Sequence, residues 1–131
     1  MTAFEVSGSE LPEDIAAALR EAQLYRADCR RRQVAAVAVC QGRIRGIGWN
    51  MLAVGSCTKG DCPRGLMSYA EVPAFSSYSN NCAAIHAEDM ALTEALSQGW
   101  ADTIYVTCRP CPDCRILCED AGVQVVVVNN L

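Results

Sequence analysis

Histidine occurs once in these 131 residues, as His86, and basic side chains are fewer than acidic ones, 11 against 15. A closed metal site built on two histidines is therefore excluded, and metal or acid–base chemistry has to draw on thiols and carboxylates. The net charge of −4 argues against a duplex or transfer-RNA partner, which calls for a basic face. No apolar run approaches the ~18 residues that a membrane helix needs. The N-terminus, with Glu5 and Glu10 early on, lacks a basic segment leading into an apolar one. We expect a cytoplasmic chain with no membrane partner, folded as one domain over 1–131.

Cysteine is plentiful by comparison. Nine cysteines would suggest disulfides in a secreted chain, but the odd count and a Cys-x-x-Cys pair point to reduced thiols and metal ligation. That pair is Cys111-Pro112-Asp113-Cys114, and 25 residues before it stands His86-Ala87-Glu88. His-x-Glu followed by Pro-Cys-x-x-Cys is the signature of zinc nucleobase deaminases. Two thiolates and one imidazole leave the fourth position of a tetrahedral zinc open, as a catalytic site requires. Cys108 or Cys118 would close the site as a fourth ligand, but neither has the strict spacing, and both read as small buried hydrophobes. Glu88 is too close to His86 to share a helix face with it, and its expected role is proton transfer. Read blandly, it is an exposed helix carboxylate.

Local patterns place these residues. Pro112 suits the first position of a helix that ends at Gly122, with Ile116, Leu117 and Ala121 as its buried stripe. The helix start is expected to favour thiolates at Cys111 and Cys114. His86 is expected in the first turn of a second helix capped by Asn81, with Ile85, Asp89, Leu92 and Leu96 at helical intervals. An earlier helix over Ser9 to Arg32 carries Ile15, Ala18, Leu19, Ala22 and Tyr25 on one stripe. Its final Arg30, Arg31 and Arg32 either complement the helix dipole or meet a substrate phosphate. Val34–Cys40 and Arg43–Asn50 read as a hairpin about Gln41-Gly42, and Thr103–Cys108 and Val123–Val128 as two further strands. Strand, strand, helix, strand, helix, strand predicts an α/β fold with a mixed sheet of four evident strands, a hairpin followed by parallel strands. Residues 51–81 are expected to form a long functional loop.

The chain resembles the cytidine deaminase superfamily, and within it the deoxycytidylate branch. The likeness rests on Ile85-His86-Ala87-Glu88, Thr107 to Cys114, Gly48-Trp49-Asn50 and Cys57 to Gly65, and extends from about Gln33 to Val128. It implies a three-layer α/β/α fold and zinc-dependent hydrolytic deamination of a cytosine nucleotide, deoxycytidylate above others. A free nucleoside or other aminated base is the alternative substrate, and a non-catalytic zinc-stabilised binding protein a distant one. It implies zinc on His86, Cys111 and Cys114, catalysis by Glu88, a sugar contact from Asn50 and base contacts from the Ala87 backbone. From the 51–81 loop it implies Arg64 or Lys59 on a phosphate and Tyr78 stacked on the base. Cys57, Cys62 and Cys82 either hold a second zinc or are buried thiols. The family continues into a fifth strand that is missing after Val128. We therefore expect the open edge to be covered by the N-terminal helix or by another subunit of a homo-oligomer. Arg109 stands where relatives have glutamate, and either alters substrate electrostatics or makes a surface contact.

Overall fold

Both faces of the strand Ala35–Cys40 (β2) are buried, so it has to run through the middle of a sheet covered on each side. The computed structural model, which describes residues 4–28, 32–52 and 84–131, has that arrangement. In chain order the other elements are β1 (Phe4–Ser7), α1 (Glu13–Glu21), β3 (Arg43–Trp49), β4 (Met51–Leu52), β5 (Ala84–Ile85), α2 (Ala87–Ser97), β6 (Thr103–Val106), α3 (Pro112–Asp120) and β7 (Gln124–Asn129). The main sheet has the order β1-β7-β6-β2-β3. β2 is antiparallel to β3 and β6, whereas β7 is parallel to β6 and β1. Gln41 and Gly42 turn the hairpin at positive φ, 51° and 80°, as a two-residue turn matching the strand twist requires.

The period-2 alternation of β2 sorts its side chains between two cores. Ala35, Val37 and Val39 pack with Ile15, Leu19 and Ala22 on one face. Ala36 and Ala38 pack with Ala87, Ala91, Leu92, Ala95 and Cys118 on the other. Helix α1 therefore covers one side and α2 with α3 the other, giving the expected three-layer α/β/α architecture. Gly46 and Gly48 let α2 lie directly on β3. A methyl group on Gly46 would collide with the Ala91 carbonyl, and one on Gly48 with the Ala87 carbonyl.

Among the described residues the sheet has five strands where four were expected. The edge of β7 is covered by β1, which pairs with it from Phe4↔Val126 to Ser7↔Asn129. An N-terminal strand, not the N-terminal helix, satisfies those edge amides. Its four residues are too few to show a period. The first helix is also shorter than expected, because α1 gives way to a π-helical turn at Ala22–Arg26 and stops before the arginine run. Tyr25 is 82% exposed and outside the stripe. Met51 and Leu52, expected in the loop, form β4 and pair with β5. The remainder of that loop, with Cys57, Lys59, Cys62, Arg64 and Tyr78, lies outside the described residues, as do Arg30, Arg31, Asn81 and Cys82.

Two helix stripes also differ from expectation. In α3 the buried residues are Cys114 and Cys118, one turn apart, while Ile116 and Leu117 face outward. In α2 they are Ala87, Glu88, Ala91, Leu92 and Ala95, and Leu96 is exposed. Small residues take the inward positions because the sheet surface beneath is so close. No helix among the described residues is long and apolar enough to cross a membrane.

Candidate metal centre and active site

Antiparallel pairing brings the start of β2 and the ends of β3 and β6 to one end of the sheet. Helices α2 and α3 begin there. His86 is the N-cap of α2, just ahead of the expected first turn, with extended backbone at φ −80° and ψ 146°. Cys111 is the N-cap of α3, Pro112 follows at its start, and Cys114 lies one turn in. Thr107 anchors the lead-in to this turn: its amide donates to the Ala35 carbonyl at 3.0 Å, and its Oγ1 accepts the Ala35 amide at 2.9 Å.

The three predicted ligands come together. His86 Nδ1 lies 3.2 Å from Cys114 Sγ and 3.4 Å from Cys111 Sγ, and the three donor atoms lie within 4.8 Å of one another. Tetrahedral zinc, with bonds of about 2.1 Å to nitrogen and 2.3 Å to sulfur, sets such N···S separations at about 3.6 Å. This donor set fits zinc. Burial pushes the Cys114 thiol upward, and neighbouring Glu88 and Cys111 push the same way. These effects outweigh the helix start expected to favour a thiolate, so ionised Cys114 calls for a cation beside it.

Glu88 is 4% exposed, in the first turn of α2. The bland reading, an exposed helix carboxylate, does not hold. Burial raises its carboxyl to about 7, partly opposed by its own backbone N–H and aided by Asp89. Cys118, one turn below Cys114, is fully buried, and its thiol is pushed up to about 12 by burial, with Glu88 and Glu119 adding to the rise. Ala87 is buried, and its carbonyl is packed on Gly48.

Asn50 follows β3, and its side chain is already engaged. Oδ1 accepts the Val34 amide at 3.0 Å, and Nδ2 donates to the Arg32 carbonyl at 2.7 Å. These bonds use one of two Nδ2 hydrogens and one of two Oδ1 lone pairs. The β4–β5 ladder pairs Met51 with Ile85. That ladder sets the residue after Asn50 beside the residue before His86, which links the hairpin to the thiol and imidazole cluster. Arg32 Nη1 donates to Cys108 Sγ at 3.1 Å. Cys108 is thus a half-buried thiol past the end of β6 rather than a core residue of the strand. Arg109 pairs with Glu5 of β1 at 3.1 Å, with both side chains well exposed, so its contact is a surface one. The ladder and the Asn50 clasp leave no local pattern. Gly46 and Gly48 facing Ala87, Ala91 and Ala95 at four-residue spacing are a signal that was available in the sequence.

Comparison with known proteins agrees with this geometry. Residues 11–130 match the family model described as the cytidine and deoxycytidylate deaminase zinc-binding region. A deoxycytidylate deaminase of Mycobacterium phage D29 is 38% identical over 110 residues, covering 81% of this chain and 84% of that one. The dCMP deaminase of cyanophage S-TIM5, solved in apo form, superposes with a TM-score of 0.61 at 26% identity, covering 92% of this chain and 85% of that one. The same phage protein in complex with dCMP and dUMP gives a TM-score of 0.57 at 25% identity, covering 92% and 83%.

Proposed function

The chain belongs to the cytidine and deoxycytidylate deaminase family, and from that premise we propose that it hydrolyses deoxycytidylate to deoxyuridylate with release of ammonia. The observation that carries the reading is a buried carboxylate, Glu88, in the first turn of the helix that His86 caps, beside a donor set suited to zinc. The 38%-identical phage deoxycytidylate deaminase and the similar fold of a protein solved with dCMP and dUMP support the choice of substrate.

In this reading His86 Nδ1 and the sulfurs of Cys111 and Cys114 hold zinc. Zinc, when bound, supplies a Lewis acid that brings the pKa of water toward about 7. Glu88 accepts one proton from the attacking water and passes it to the ring nitrogen, then accepts the remaining hydroxyl proton of the adduct and passes it to the departing amine. Water and aminopyrimidine become carbonyl product and ammonia. Burial keeps Glu88 away from bulk solvent, so its proton goes to the substrate. The Ala87 backbone borders the base, and Asn50 turns its remaining hydrogen-bonding capacity to the sugar. Arg64 and Tyr78 remain candidates for phosphate and base. We read 1–131 as one domain of a cytoplasmic homo-oligomer without a duplex nucleic-acid partner. The exposed apolar residues Leu96, Ile116 and Leu117 on the outer helices support self-association.

The test is ammonia release by zinc-loaded protein from cytidine, deoxycytidine, their mono- and triphosphates, and guanine in parallel. Preference for deoxycytidylate is expected, and the Glu88→Ala variant should keep its zinc while losing nearly all turnover. A Glu88→Ala protein with full activity would sink the assignment.

A further inference from the structure

Antiparallel strands hold one another through hydrogen-bonded pairs, in which two facing residues exchange both N–H···O bonds. The β2–β6 ladder runs from Val39↔Thr103 to Ala36↔Val106, so the next residues in register are Ala35 and Thr107. They make half of such a pair. The Thr107 amide donates to the Ala35 carbonyl at 3.0 Å, but the Ala35 amide donates to Thr107 Oγ1, at 2.9 Å, instead of to the Thr107 carbonyl. The hydroxyl turns its own proton toward the Ala35 carbonyl at 3.4 Å. A side-chain oxygen thus replaces the backbone acceptor, which is how threonine competes with regular structure. Released from β2 at its carbonyl, the chain leaves the sheet at Thr107, ahead of Cys111 at the N-cap of α3.

The other flank of β2 ends by the same device. Past the pair Ala35↔Trp49, the Asn50 amide donates to the Val34 carbonyl at 3.2 Å, while Asn50 Oδ1 accepts the Val34 amide at 3.0 Å in place of the Asn50 carbonyl. The released carbonyl accepts the Asp28 amide at 2.8 Å. The chain then passes into β4, which pairs with the strand just ahead of His86. Both neighbours of β2 therefore stop on its consecutive residues Val34 and Ala35, each by a side-chain oxygen. Beyond each stop the chain runs to the thiol and imidazole cluster or to the strand beside it. We infer that Thr107 is a positioning residue for the deamination, whose hydroxyl ends the β2–β6 ladder and thereby sets the turn that carries Cys111 and Cys114 to His86. The inference rests on the zinc deaminase reading above. Without the hydroxyl, the Ala35 amide is left to draw in the Thr107 carbonyl, the ladder lengthens by one pair, and residues 108–111 are pulled back onto the line of the strand.

The experiment compares wild type with Thr107→Val, which keeps the branched shape and removes the acceptor, and with Thr107→Ser, which keeps the acceptor. Three quantities are read: zinc affinity by competition with a chromogenic chelator, the visible spectrum of the cobalt-substituted protein, and kcat and KM for deoxycytidylate. Thr107→Val should bind zinc about 10-fold more weakly, show altered thiolate-to-cobalt absorption, and lose on the order of 10- to 100-fold in kcat while KM changes far less. Thr107→Ser should recover most of each. A Thr107→Val protein with wild-type zinc affinity, spectrum and kcat overturns the inference even if it melts earlier, since the hydroxyl would then only stabilise the strand. A Thr107→Ser protein as impaired as Thr107→Val overturns it too, because packing of the methyl group would be the cause. Should Thr107→Val not fold, Thr107→Ala removes the same acceptor and carries the same comparison with serine. Zinc affinity and the cobalt spectrum involve no substrate, so a wild type that binds zinc and ignores deoxycytidylate fails the substrate reading and leaves this test standing.

Discussion

Replacing Gly48 by alanine should damage both stability and the metal site, because of where the added methyl has to go. A Cβ there collides with the Ala87 carbonyl and stands only 2.7 Å from the Ala91 amide nitrogen and 2.9 Å from the Ala87 carbonyl carbon. All of these are backbone atoms of α2, so no rotamer change relieves the overlap. The first turn of the helix has to withdraw by on the order of 1 Å to restore carbon–oxygen contact distances. Overpacking of this kind costs about 1–3 kcal/mol, and rigid backbone neighbours place it at about 3. For a domain of this size that lowers Tm by about 10 °C. The withdrawal also moves the residues either side of Ala87, His86 and Glu88, and a misplacement of about 1 Å at reacting groups costs on the order of 100-fold in rate. Gly46→Ala is the control. Its Cβ meets Ala91 and Ala95, one turn farther along α2, with 2.9 Å to the Ala95 nitrogen. It should lose comparable stability while binding zinc more tightly than Gly48→Ala does. Thermal melts of the zinc-loaded proteins and zinc competition with a chromogenic chelator check both. A Gly48→Ala protein with wild-type Tm and zinc affinity would refute the reasoning.

Two further predictions concern the metal and the far end of the sheet. His86→Ala, Cys111→Ala and Cys114→Ala should lose zinc as well as activity by elemental analysis and ammonia release, and a strong chelator should do the same to wild type until zinc is restored. Normal metal content in those variants would mean that the ligands are misassigned. At the hairpin end, Asp102 Oδ2 accepts the Gln41 amide at 2.9 Å and Oδ1 accepts the Thr103 hydroxyl at 2.9 Å, which hold its carboxyl below the usual range. A depressed pKa stabilises the fold above the unfolded value of about 3.9 and loses that contribution as pH falls through the folded value. Asp102→Asn should therefore lower Tm at neutral pH, and the gap to wild type should narrow on acidification below about pH 4. A gap that is constant with pH would show that the charge contributes nothing.

What could be read from the chain followed the range of the interactions involved. The cluster of His86, Cys111 and Cys114, able to hold a metal, was legible because Cys111 and Cys114 sit one turn apart at a helix start that Pro112 announces, and metal coordination restricts residue type and spacing together. The hairpin was legible because Gln41-Gly42 is a two-residue turn between apolar runs. The stripes of α2 and α3 were misjudged because hydrophobicity ranked Leu96, Ile116 and Leu117 as inward. The close approach of helix to sheet admits instead Ala87, Ala91, Ala95, Cys114 and Cys118. Shape decided those faces, and no periodicity count weighs shape. The long loop was overextended by two residues because Met51 and Leu52 make a strand only through partners more than 30 positions away.

The sequence by itself determined the metal chemistry, the α/β class and the identity of the buried acid, since these follow from residue type and short spacing. Tertiary structure alone decided that a four-residue N-terminal strand closes the sheet, that Asn50 clasps the backbone at Arg32, and that Arg32 reaches Cys108. The last of these joins residues 76 positions apart. Such pairs leave no imprint on local composition, because the free energy that selects them comes from filling a shared surface and satisfying the polar groups at its edge.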